Sequence, residues 1–101
     1  MASRLNLHEV FCEILGSRNV YFQPPSNIRM VYPAIVYSRS AIQNSFADDK
    51  VYQQSNVYDV TVIDLDPDSD IVVKISQLPK CRYGRHYVAD NLNHDTFTIY
   101  Y

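Results

Sequence analysis

Asp64, Asp66, Asp68 and Asp70 form the densest series of chemistry-bearing side chains in the chain. Alternate carboxylates can point at one divalent cation, as they do at the start of a calcium loop. The pattern then breaks, because Ser69 stands where such a loop needs glycine and Ile75 where a bidentate glutamate closes the shell. The series therefore reads as a helix start with solvated acids. Cys81, His86, His94 and Asp95 are borderline metal donors, but zinc sites use close ligand pairs and these intervals are irregular. The histidines are expected to be structural, and a small metal-dependent enzyme using Cys81, His86 and His94 is a competing reading. His8 and Cys12 lie one helical turn apart, so a thiol could meet an imidazole. That thiol sits mid-helix, away from an activating N-terminus, and the spacing supplies no orienting carboxylate. Two isolated glycines cannot build a phosphate-cradling loop. No catalytic, cofactor-binding or metal-ligating residue is assigned, no cofactor is expected, and the chain is read as a non-enzyme.

The nine tyrosines are the more informative excess. Tyr21, Tyr32, Tyr37, Tyr52, Tyr58, Tyr83, Tyr87, Tyr100 and Tyr101 cannot all fit inside a core built from 101 residues. Tyrosine suits half-buried strands, and it is also enriched at protein interfaces, where a large area and a polar tip are useful. The surplus points toward assembly rather than catalysis. Nine Lys and Arg against eleven Asp and Glu leave a net charge of −2. Duplex binders show a basic surplus or stripe, so nucleic acid is not expected as the principal ligand. No segment has the ~20 apolar residues of a membrane span, and the N-terminal stretch lacks the apolar block of a signal peptide. Cys12 and Cys81 are read as free thiols, since nothing marks the chain for export.

These residues must be positioned by one α+β domain covering 1–101, a mostly antiparallel sheet with two helices packed on one face. A chain of this length has a radius of gyration of about 13 Å if it is globular. Leu7, Val10, Phe11, Ile14 and Leu15 follow the spacing of one helical face. Asn6 and Glu9 fit a capping box, Leu5 and Val10 a hydrophobic staple, and Gly16 a left-handed C-terminal stop. Residues 19–23 read as a short strand ended by Pro24 and Pro25. A second strand runs over residues 30–39, with Pro33 as an edge, a bulge or an unpaired lead-in. Asp48, Asp49 and Lys50 read as a turn. Residues 57–65 are the strongest strand, apolar on both faces and therefore central, with Tyr58, Val60 and Val62 on one side. Asp66 as cap, Pro67 and the acids after it predict a second helix through Leu78, stopped by Pro79. Strands over 82–88 and 96–101, joined by a polar loop, close the chain.

Several stretches taken together resemble the tail-terminator or tail-completion proteins of long-tailed bacteriophages. They are residues 19–25 (NVYFQPP), 32–37 (YPAIVY), 59–68 (DVTVIDLDPD), 86–94 (HYVADNLNH) and 97–101 (FTIYY). The likeness covers nearly the whole chain in order and rests on overall pattern, with no catalytic signature. It implies a structural virion protein that forms a ring, typically a hexamer, at the head-proximal end of the tail tube. Such a ring stops tube polymerisation and offers a surface to the head connector or stopper protein. The implied partners are other copies of itself, the tail tube protein and the connector, with DNA only as passing cargo and no membrane. The implied place is the virion neck, after assembly in the host cytoplasm. Another neck component, a head-completion or connector protein, is the alternative. The resemblance transfers no single-residue motif. Exposure arguments select the turn at 43–50, with Gln43, Asp48, Asp49 and Lys50, the loop at 89–95, with Asn91, Asn93 and His94, and the terminal Tyr100 and Tyr101 as assembly contacts. Asp64, Asp66, Asp68 and Asp70 are the candidate lining of a DNA channel.

Overall fold

Apolar side chains spaced at three and four residues demand a helix with one buried stripe, and that stripe is present. The computed structural model describes residues 4–25, 27–47 and 50–101, giving the backbone alone at 45–47 and 50–54. Helix α1 spans Arg4–Leu15 and buries Leu7, Phe11 and Cys12. It begins earlier than the expected cap, so Asn6 and Glu9 lie inside it and form no capping box. Leu5 is 63 % exposed within the first turn, and Leu7 rather than a staple anchors this end. Gly16 ends the helix at φ +76°, with its N–H donating to the Cys12 carbonyl at 2.9 Å.

Five strands form one sheet in the order β1-β2-β3-β5-β4. They are β1 (Val20–Phe22), β2 (Ala34–Ala47), β3 (Lys50–Asp64), β4 (Cys81–Ala89) and β5 (Leu92–Tyr100). Only β1 and β2 are parallel. That pairing requires the chain to travel back between them, through a connection that carries Pro24, Pro25 and Pro33. Pro33 follows a cis bond from Tyr32 and stands just before β2, as an unpaired lead-in. Strand β3 is central, flanked by β2 and β5. Both faces of its body contribute to burial, with Tyr58, Val60 and Val62 fully enclosed and Ile63 nearly so.

Helix α2 is Asp70–Ser76, capped by Ser69, whose hydroxyl accepts from the Ile71 N–H at 3.3 Å. The expected cap at Asp66 is therefore displaced by three residues. The physical reason is local: Asp64 and Asp66 use their carboxylates to accept from the N–H groups of Asp66 and Asp68, at 3.0 and 2.9 Å. Successive turns of this kind hold the chain out of a helix until Ser69. The expected loop at 89–95 is also replaced. Asp90 and Asn91 both have positive φ, at 52° and 63°, and make a two-residue hairpin turn. Leu92 pairs with Ala89 directly across it.

Both helices pack on the same face. Leu7, Phe11 and Cys12 of α1 and Ile75 of α2 share one core with Val20, Ile35, Tyr37, Tyr58, Val60, Val62, Phe97 and Ile99. Tyr37 is its hub, with rings of His8, Phe11, Phe22 and Tyr58 all centred within 6 Å. Among the described residues no helix covers the other face, which carries Val57, Thr61, Thr96, Thr98 and Tyr100 by register.

Candidate assembly surfaces

The largest departure from the expected architecture is an arm. Strands β2 and β3 stay paired from Ala41 opposite Val57 to Ala47 opposite Lys50, through seven cross-strand pairs. Strand β1 reaches only Ile35, Val36 and Tyr37 of β2, and β5 reaches β3 only from Val57 onward. The arm therefore leaves the body as a two-stranded ribbon of roughly 20 Å. It stretches the molecule to 51 × 25 × 23 Å. Gln43 lies in the ribbon opposite Ser55, not in a turn, and Lys50 is paired with Ala47. Asp48 and Asp49 lie outside the described residues. Alternation was too weak to reveal this arm, because Gln43 and Asn44 are polar and exposed. Its signal is two polar runs of strand-compatible residues on either side of Asp48 and Asp49.

The arm's root is irregular. Ser40 is extra between Arg39 and Ala41, and its hydroxyl donates to the Val57 carbonyl at 3.2 Å. Asn56 is 5 % exposed with its Oδ1 unpartnered, and the Tyr58 hydroxyl is fully buried without a partner. Ile42, opposite Asn56, is 50 % exposed.

The C-terminal tyrosines lie at the arm end of the body. Tyr100 is half-buried opposite Val57, and Tyr101 packs partly against the core while its N–H donates to the Asn56 carbonyl. The β4–β5 turn with Asn91 lies at the opposite end, next to the acids, since Asn93 pairs with Asp64. Asn93 and His94 are strand residues. Asn93 donates to the carbonyls of Asp64 and Leu65 and meets His86, and the His94 ring stacks on Tyr87 at 4.7 Å. Asp66, Asp68 and Asp70 are exposed, and Asp64 is half-buried.

The metal-donor readings resolve into separate places. Cys81 opens β4 opposite Ile99, with burial pushing its thiol pKa up, while His86 and His94 occupy neighbouring strands. Among the described residues, no three His, Cys, Asp or Glu side chains gather to hold a metal ion. Cys12 and Cys81 are free thiols. His8 does not engage Cys12. Its Nδ1 meets the Tyr37 hydroxyl at 2.7 Å, and Arg4 donates to that same oxygen at 3.1 Å. Burial first, then the Arg4 charge, lowers the His8 pKa. Cys12 instead accepts from Arg18, which also bonds Glu9 at 2.8 Å.

One polar cluster escaped the sequence reading because its members are twelve residues apart across a hairpin. The Tyr83 hydroxyl donates to Asp95 Oδ1 at 2.8 Å, and Asp95 is 8 % exposed. Burial, then this bond, raises the Tyr83 pKa. Among the described residues no helix is long and apolar enough to cross a membrane. No protein-family model, curated protein or solved structure matches the chain.

Proposed function

We propose that the chain is a structural subunit of a bacteriophage tail, forming a ring at the head-proximal end of the tail tube. The ring, a hexamer by the resemblance described above, ends tube growth and offers its other surface to the head connector or stopper protein. It works in the virion neck after assembly in the host cytoplasm. DNA passes through it as cargo, with Asp64, Asp66, Asp68 and Asp70 as the candidate lining that repels phosphate.

The observation that carries this reading is the arm. An isolated two-stranded ribbon is marginal in water, and one with an exposed Ile42 and no third strand gains most by lying against another chain. Arm contacts repeated from copy to copy close into a ring when the rotation per subunit permits. Light scattering on a sizing column tests it. A single species near six times the 11.7 kDa chain mass is expected, and a chain that stays monomeric even with tube ends present overturns it.

A further inference from the structure

On the helix-covered side of the sheet, Phe97, Ile99 and Cys81 share the core with Ile75 of α2, while Tyr83, His86 and Val88 further along β4 are exposed. Tyr83, His86 and Val88 follow one another along that exposed stripe, and the Leu65 carbonyl accepts from Asn93, the cross-strand partner of Val88. Val88 is 62 % and Leu65 68 % exposed. The floor is fixed by hydrogen bonds: Tyr83 to Asp95, His86 to Asn93, and Asn93 to the carbonyls of Asp64 and Leu65. Among the described residues the one ion pair is Arg18 with Glu9, so the enclosed Asp95 carboxylate has no counter-ion. A carboxylate taken this far out of water is stabilised most by a cation brought to it. The stripe therefore fits an apolar side chain accompanied by a base.

The chain carries that combination at the arm root. Ile42 and Arg39 both lie on the side of the arm that faces with Asn56 and Tyr58, and both are exposed. We infer that the arm root of one copy docks on the stripe of the next, Ile42 against Val88 and Leu65, and the Arg39 guanidinium toward Asp95. The two surfaces are different parts of the sheet, the root on β2 and the stripe on β4, so the contact is head-to-tail and each copy offers one arm and one stripe. The inference rests on the ring reading and names its interface.

Two variants test it, Ile42→Asp in the arm and Val88→Asp in the stripe, both at exposed positions. Each alone is expected to be monomeric with an unchanged circular-dichroism melt. Mixed in equal amounts they should form a heterodimer and nothing larger, because only one arm and one stripe remain intact. Ile42→Ser and Val88→Ser replace them if either aspartate variant loses its fold. A wild-type ring whose variants stay monomeric when mixed, or a Val88→Asp chain that still forms rings, overturns the inference and leaves the ring intact. A wild-type chain that is monomeric overturns it too, and the tube-end assay then judges the ring separately.

Discussion

The Tyr37 hydroxyl ties α1 to the sheet, accepting from Arg4 and hydrogen-bonding His8 Nδ1. Removing it in Tyr37→Phe should cost about 1 kcal/mol in urea unfolding. The bond to His8 has a pH consequence. His8 has its pKa lowered in the fold by burial and Arg4, with Glu9 opposing and Arg18 adding to it. The unfolded chain therefore binds this proton more readily, and stability falls as pH drops below the ordinary histidine value of 6.5. The loss levels off once pH passes below the folded-state pKa. Urea midpoints between pH 7 and 5 should fall further for wild type than for His8→Gln; equal falls would remove His8 from the account. Tyr58 is the opposite case, since its buried hydroxyl has no partner. Tyr58→Phe should be neutral or stabilising, and a loss above about 1 kcal/mol would mean that the hydroxyl is satisfied. At Gly84 an added Cβ would lie 2.5 Å from Thr96 Oγ1, inside the irregular β4–β5 pairing. Gly84→Ala should therefore cost about 1–3 kcal/mol by the same measurement.

At the scale of elements, what burial dictates was legible and what pairing dictates was not. The stripe of Leu7 and Phe11, the alternation of Tyr58, Val60 and Val62, and the stop at Gly16 all answer to a core that only one arrangement fills. Boundaries set by competing local hydrogen bonds were not legible. Ser69 displaces Asp66 as the cap because the two preceding aspartates form turns of their own. The hairpin at Asp90 and Asn91 reads as a loop in a sequence that shows only polarity, yet both residues tolerate positive φ. The candidate site divides the same way. An excess of tyrosine pointed to assembly, whereas the arm and the Tyr83–Asp95 contact depend on register between distant segments. Because the arm lies outside the core, removing residues 44–54 and joining the strands with Asn-Gly should leave the melting temperature of the body nearly unchanged. Self-association should persist in the same variant, because Arg39 and Ile42 at the root are kept; its loss would move the interface out along the arm.

The whole molecule is longer than its length predicts, with a radius of gyration of 14.6 Å against about 13 Å for a globular chain of this size. The excess is the arm. It carries the exposed Ile42 at its root, while the acids and the exposed Leu65 lie at the far end of the body. Different surfaces at the arm root and at the far end of the body suit the proposed ring, which would contact its neighbours and two unlike partners. The most direct test adds the purified chain to tail tubes during their polymerisation and images the products by negative stain. Annular density at one end only, with elongation halted there, is the predicted result. Tubes that keep growing with bare ends, or that carry the chain along their whole length, would contradict a terminating ring.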